Sequence, residues 1–408
     1  MAETLASPSA GAAAPAPSSP ARSLWRRLRS VLFWTHLAIG CLAGLVIAFL
    51  CVTGVLLTYE RQLLASAEAT RISAAPASEH LSLSELTERV DFDVREISVS
   101  ARPGAPVRFS AGRRSRVELD VATGEVVPDA APALREFFST VTALHRWFAF
   151  DGDARDRARH VTGAANLGFL VLMLTGLFVW LPPLLRGPLL RTRLLFSRRY
   201  VSAKARDYGW HHVIGIWCLV PLFLIALTGT VFHYDWSADA LRTLVARDAS
   251  PMAAQAPGRA PAAAPETEAV FDPDALFALA FREAPSARRV TLTVPEPGAT
   301  SAHFVLDFGN GAQVQKQETL VVSFADSANG ADRADLAVLE RGPRLADDPY
   351  RHARFVVRFL HTGEIFDVPG QTVAGIASLG GAVLAWTGIA LAWRRLVLPS
   401  LRRRRAAA

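Results

Sequence analysis

Ten histidines are spread over the 408 residues, and four of them recur at matched places. Laid on itself at an offset of 175, the chain sets His36 on His211, Gly40 on Gly215, Thr53 on Thr228, Gly54 on Gly229, Tyr59 on Tyr234 and Glu60 on Asp235. At an offset of 212, Gly163, Gly168, Thr175 and Gly176 fall on Gly375, Gly380, Thr387 and Gly388, and each block follows a Leu-His pair, Leu144-His145 or Leu360-His361. An imidazole within or beside an apolar helix is costly and normally turns inward toward a partner. Two facing imidazoles with no cysteine or carboxylate beside them match the axial ligation of haem iron. Gly40 and Gly215, one turn on from His36 and His211, remove the side chains that a flat macrocycle would strike. Interfacial capping and proton transfer are the competing roles. A bare zinc or copper ion is disfavoured, because it would normally recruit a third or fourth ligand.

Spacing separates these histidines into two sites. His211 and His233 are 22 residues apart, about 33 Å along a straight helix, so no single site uses both. One site is expected from His36 and His211, the other from His145 and His361. His212 points about 100° around the helix from His211 and is a secondary candidate. His160 and His233 lack a histidine at the repeated position and read as interfacial residues, a second ligand set or a proton route. His80, His303 and His352 lie in outer segments, where exposure is the default. The Thr-Gly pairs read as close helix-packing positions, with the hydroxyls returned to the backbone.

Four apolar stretches must position these residues, running from Val31 to Tyr59, Val161 to Leu185, Trp210 to Tyr234 and Thr372 to Trp393. Each exceeds the roughly 20 residues that cross a bilayer, and the first is too long for a signal-peptide core. With 51% apolar and 20% charged residues, the composition excludes disorder and disfavours an ordinary soluble protein. Cys41, Cys51 and Cys218 all fall in apolar runs, which leaves no disulfide framework or cysteine metal site. Basic residues flank the spans asymmetrically. Residues 1–30, the connection from Arg186 through Asp207 and the tail from Arg394 hold 17 basic residues against two acidic ones, whereas the rest holds 27 against 35. Both termini and the short middle loop are therefore expected in the cytoplasm, and the two long connections outside. Basic residues that border apolar helices serve topology and lipid contact, so nucleic acid is not an expected partner. Trp34, Trp147, Trp180, Trp210, Trp217 and Trp236 read as interfacial anchors.

The resulting organisation is a tail over 1–24, a first span over 25–60, an outer domain over 61–143, and a Leu-His segment with the second span over 144–185. A basic loop over 186–209 follows, then a third span over 210–235 and a second outer domain over 236–359 that includes an Ala/Pro linker at 249–265. A Leu-His segment with the fourth span over 360–396 and a basic tail over 397–408 complete it. The fold class is an integral membrane, mainly α protein: a four-helix transmembrane bundle of two parallel repeats with α+β extracytoplasmic domains. In the first outer domain a helix is expected near Leu81 to Val90, with strands at Val107 to Ser110 and Val117 to Val121. In the second, Asp272 should cap a helix running to Glu283, ahead of strands at Arg289 to Val294, His303 to Asp307 and Thr319 to Phe324. The Ala/Pro/Ser-rich tail and the linker read as disordered.

Several elements together resemble the PepSY-associated transmembrane helix family, which includes bacterial inner-membrane ferric-siderophore reductases and iron-regulated membrane proteins. They are Trp34-Thr35-His36 with Thr53-Gly54, Val117 to Asp120 through Thr123-Gly124-Glu125, Leu144-His145-Arg146-Trp147, Gly176 to Pro182, His211 to Trp217 with Leu227-Thr228-Gly229, and Leu360-His361-Thr362-Gly363-Glu364. The resemblance implies PepSY-like outer domains, two b-type haems and electron transfer across a bacterial inner membrane to an external ferric siderophore or other ferric chelate. The second outer domain departs from the pattern, lacking a strand-Thr-Gly-Glu ending. No GxGxxG follows a strand, so the electron donor is expected to be a separate cytoplasmic reductase or quinol. Two other classes compete: a transporter of metal chelates, and a PepSY-type envelope regulator without haem. The spans lack the embedded charges and broken segments common in transporters, and paired histidines are what a regulator has no need of.

Overall fold

A computed structural model of the chain describes residues 20–73, 75–112, 115–184, 194–248, 272–296, 298–309, 311, 313–323, 336–344 and 349–407. The expected disorder of the N-terminal tail up to residue 19 and of the Ala/Pro linker at 249–265 lies outside the described residues.

Elements follow in the order α1 (Pro20–Leu57), α2 (Glu60–Glu68), α3 (Leu83–Glu88), β1 (Glu96–Ser100), β2 (Val107–Ser110), β3 (Arg116–Leu119), α4 (Pro132–Trp147) and α5 (Gly152–Leu184). Then come α6 (Ala203–His233), α7 (Asp235–Asp248), α8 (Pro273–Glu283), β4 (Arg289–Thr293), β5 (Ser301–Asp307), β6 (Gln317–Ser323), β7 (Ala337–Pro343), α9 (Pro349–Thr362), α10 (Asp367–Leu396) and α11 (Leu398–Ala407). Among the described residues, four stretches are long and apolar enough to cross a membrane: Leu24–Glu68, Gly152–Trp180, Ala203–His233 and Glu364–Arg404. They contain the four apolar runs almost whole, since an uninterrupted apolar sequence satisfies its backbone only as helix in hydrocarbon.

The chain divides into two compact units, one of Met1–Leu45, Gly168–Trp217 and Leu384–Ala408, the other of Val46–Leu167 and Cys218–Val383. In the first, the buried Asp207 carboxylate (2% exposed) joins Arg206 at 3.0 Å to Arg394 at 2.5 Å, tying the start of α6 to the end of α10. Arg395 lies over the rings of Phe33 and Trp34.

In the second unit the two long connections do not form separate sheets. They share one antiparallel seven-stranded sheet of order β3-β2-β1-β4-β5-β6-β7. The junction is β1 against β4, with Ile97 opposite Leu292 and Val99 opposite Val290. β1, short and half polar, escapes sequence reading; pairing satisfies its backbone and removes two exposed edges at once. β7 was also unforeseen. Alternation sends Ile97, Phe109, Leu119, Val290, Leu292, Phe304, Leu306 and Leu320 to one face, where α3 and α8 cover them with Leu86, Leu276 and Leu279. Ser82 and Glu85 form a capping box on α3, and Asp272 accepts from the Ala275 amide at the start of α8, with Pro273 at its first turn. The other face of the sheet is polar.

Candidate functional site

Each of the four repeated histidines is held by a Thr-Gly pair far away in sequence. In the first unit His36 Nδ1 is 3.0 Å from Thr175 Oγ1, and His211 Nδ1 is 3.0 Å from Thr387 Oγ1. In the second unit His145 Nδ1 is 2.8 Å from Thr53 Oγ1, and His361 Nδ1 is 3.1 Å from Thr228 Oγ1. These partners correspond between the repeats: the contact of His36 with Thr175 maps by the two offsets onto that of His211 with Thr387, and the contact of His145 with Thr53 matches that of His361 with Thr228, the two Leu-His pairs lying 216 residues apart. The glycine after each threonine lets the imidazole approach. A Cβ there would stand 3.2 Å from His36 Cε1 at Gly176, 3.3 Å from His211 Cε1 at Gly388, 3.4 Å from His361 Cε1 at Gly229 and 3.7 Å from His145 Cε1 at Gly54.

Reading the Thr-Gly pairs as helix packing thus describes only half of their role. The hydroxyls do return to the backbone: Thr53 donates to Phe49 O at 2.8 Å, Thr175 to Val171 O at 2.7 Å, Thr228 to Leu224 O at 2.6 Å and Thr387 to Leu384 O at 3.1 Å. That return decides the tautomer of the imidazole. A hydroxyl has one proton; once it is spent on a carbonyl, only an oxygen lone pair faces Nδ1, so Nδ1 carries the hydrogen. His361 shows the same independently, since its Nδ1 lies 2.8 Å from Ile225 O, which can only accept. The carbonyl three residues before the threonine serves the other imidazoles likewise, from Leu172 for His36, Leu384 for His211 and Leu50 for His145. Nε2 is then the unprotonated nitrogen in all four, and none has a protein partner among the described residues. Fixing a metal-ligating histidine by an Nδ1–H bond to an oxygen is the usual outer-shell arrangement.

His36 and His211 face one another, with ring centroids 6.3 Å apart and planes at 88°. A metal about 2 Å from each ring nitrogen lies about 3 Å from each imidazole centre, so two imidazoles on one metal have centres a little over 6 Å apart; the pair fits that span. Beside it, a Cβ on Gly40 would meet Leu172 Cδ2 at 3.9 Å and one on Gly215 would meet Leu384 Cδ2 at 3.6 Å. The glycines are therefore bounded by leucine tips at van der Waals distance instead of by an open slot, and a macrocycle would turn those tips aside. Among the described residues no group of three or more His, Cys, Asp or Glu could hold a metal ion. The donor set suits a group that brings its own equatorial ligands.

In the second unit His361 and His233 lie within electrostatic reach of His145. Burial, then these neighbours, pushes His145 down to about 4, and burial lowers His361 too. Both rings are neutral at pH 7, with the Nε2 lone pair available. Backbone turns set their positions. Past His145, α4 ends at Phe148 in the left-handed region (φ 55°), followed by Ala149 (φ 56°). Past His361, Gly363 (φ 77°) ends α9, and a Cβ there would collide with the Gly370 carbonyl. Glu364, next in the Leu-His-Thr-Gly-Glu run, is buried and pairs with Arg61 at 2.7 Å. In the Leu-His-Arg-Trp run, Arg146 and Arg155 stack on Trp147.

The secondary histidines are differently placed. His233 uses both nitrogens, Nδ1 on Gly229 O at 3.2 Å and Nε2 with Thr162 Oγ1 at 3.3 Å. His160 donates to Asp156 O in its own helix and is exposed. His212 bonds to Tyr208 O and packs on the Tyr208 ring. Sequence reasoning missed the four threonines as imidazole acceptors, although a Thr-Gly pair recurs in each of the four long apolar helices.

Comparison with curated proteins returns no similar sequence. A family model described as the PepSY-associated TM region matches residues 33–395. That stretch holds all four clamps and all seven strands, and the chain belongs to the PepSY-associated transmembrane family.

Proposed function

We propose that this membrane protein is a haem-dependent reductase of the bacterial inner membrane, with both termini cytoplasmic, which moves electrons from a cytoplasmic reductase or quinol to a ferric chelate outside. The observation that carries the reading is the fourfold clamp: four imidazoles, each with Nδ1–H committed to a threonine and Nε2 left bare. His36 and His211 would hold one b-type haem, and His145 and His361 a second. The equivalence of the contacts supports two parallel repeats. Bis-imidazole ligation, with haem bound, supplies reversible one-electron chemistry.

The protein's own residues then have defined tasks. The threonines fix tautomer and ring orientation, so that ligation needs no rearrangement. The glycines set how closely each ring approaches its clamp, and the apolar helices keep water from the imidazoles. No nucleophile or general base is required. A quinol donor gives up two electrons and two protons, and two ferric centres each accept one electron; the Fe(II) formed is held less firmly by hard oxygen donors and leaves the chelate.

The test is a reduced-minus-oxidised absorption spectrum of detergent-purified protein with haem counted per chain, in the wild type and in His36→Ala and His361→Ala. Low-spin b-type bands at two haems per chain, with one lost in each variant, are expected. A protein that stays colourless after reconstitution with excess haem overturns the reading.

A further inference from the structure

The second unit contains a basin of about 1820 Å³ that the haem chemistry does not use. Its floor is the polar face of the seven-stranded sheet, formed by alternate residues such as Ser98, Arg108, Glu118, Arg289 and Thr291. Burying one face of a sheet and hydrating the other is ordinary for antiparallel strands. Here the hydrated face is concave, bordered by α2 and by residues from 313–317 and 364–371, with Arg61 of α2 paired to Glu364.

Its charge is unbalanced. The lining includes ten arginine and lysine residues against six aspartates and glutamates, in a part of the chain that is acidic overall. Four of the six acids are committed to ion pairs, while Glu96 accepts from Ser110 and Asp307 from the Gly309 amide. Glu118 alone meets three guanidinium groups, Arg71 at 2.7 Å, Arg108 at 2.7 Å and Arg116 at 3.1 Å. Glu68 meets Arg135, Glu364 meets Arg61 and Asp367 meets Lys316. Arg102, Arg288 and Arg289 line the basin without an ion pair among the described residues, and Arg71 Nε is buried with no acceptor. On the floor, Arg289 stands beside Ser100 of β1 in the sheet register, and Arg108 sits one strand further on. Its charge helps to lower the proton affinity of Arg108, after burial. Guanidinium groups crowded in this way, with four of the six local acids already in ion pairs, present donors suited to an added anion.

We propose that this basin binds a compact polyanion, bearing two or more negative charges on carboxylate or catecholate oxygens, in preference to neutral or cationic ligands of similar size. Resting on the reductase reading, this assigns the substrate as a negatively charged ferric chelate and gives its docking surface. A basin larger than the roughly 300–1,000 Å³ of most small-ligand sites accommodates a hydrated chelate.

The experiment is equilibrium dialysis of the full-length, detergent-solubilised protein with gallium(III) citrate, a redox-silent anionic chelate, against a neutral gallium(III) trihydroxamate. Expected results are preference for citrate, affinity that falls as salt rises, about tenfold or more weakening in Arg289→Gln, and recovery in Arg289→Lys. Equal binding of the neutral chelate, or binding of citrate indifferent to both salt and Arg289→Gln, overturns the proposal. Because gallium is not reduced, the two readings fail separately. Citrate binding by a protein that takes up no haem leaves the basin assignment standing and removes the reductase; haem bands without citrate binding do the reverse.

Discussion

Replacing Thr387 by valine keeps the volume of the side chain and deletes the hydroxyl oxygen that accepts from His211 Nδ1 at 3.0 Å. The same hydroxyl's bond to Leu384 O at 3.1 Å is lost with it. The Leu384 carbonyl still faces the ring, so the imidazole retains a weaker anchor and its tautomer is held less firmly. A neutral hydrogen bond is worth about 0.5–1.5 kcal/mol net, and leaving a buried donor partly satisfied about 1–3. A loss of about 1.4–2.8 kcal/mol within that range corresponds to roughly 10- to 100-fold in affinity, the range found when outer-shell partners of metal-bound histidines are removed. The assay is haem occupancy at limiting haem, read from the reduced-minus-oxidised bands, together with the midpoint potential of the affected site. Thr387→Val is expected to reduce occupancy at the His36/His211 site alone, while Thr387→Ser, which keeps the hydroxyl, retains it. Thr230→Val is the control, because Thr230 is equally buried but bonds to Leu227 O and Ser237 instead of to an imidazole. If Thr387→Val binds haem with unchanged affinity and potential, or if Thr230→Val lowers occupancy as much, the clamp is not what holds the imidazole ready, and the tautomer argument fails.

Three further outcomes follow from the same geometry. Gly176→Ala and Gly388→Ala should shift the bands of the first site, because their Cβ atoms would stand 3.2 Å and 3.3 Å from the rings, whereas Gly54→Ala, at 3.7 Å from His145, should be nearly silent; spectra of the three variants side by side decide this. Burial would raise the Glu118 carboxyl, but the charges and hydrogen bonds of Arg108, Arg71 and Arg116 outweigh it and hold the group down to about 2. A depressed carboxyl contributes stability above its unfolded value of about 4.5 that is lost as pH falls toward 2, so acid titration of sheet circular dichroism should show a loss on the order of 3 kcal/mol in that window, and a smaller one in Glu118→Gln. Asp207→Asn leaves Arg206 and Arg394 without their shared carboxylate, but their side chains are 47% and 26% exposed and stay hydrated; a cost of about 1–3 kcal/mol is expected from the lost charge-assisted hydrogen bonds, measured as a lower thermal midpoint in detergent.

Local pattern alone was enough to locate the four long apolar helices, since an apolar run of such length has few other fates, and to mark four histidines as equivalent, since repetition is visible without any fold. It also located β2, the helix capped by Asp272, and β4 to β6, because alternation and capping residues act over a few positions. What tertiary structure decided is which partner each element meets. The clamps join residues 92 to 176 positions apart, and no periodicity encodes a contact across that separation. His233 and His36 are both histidines of apolar helices, yet a threonine and a carbonyl occupy the two nitrogens of the first, while the second keeps one nitrogen bare. The union of the two long connections into one sheet is likewise a matter of edges: β1 and β4 each carry unpaired backbone groups that only the other satisfies, and that pairing gathers arginines from β2, β3 and β4 onto one concave face. Side-chain type is written residue by residue, whereas charge crowding and imidazole tautomer depend on the distance between residues remote in the chain, and only the folded structure sets that distance.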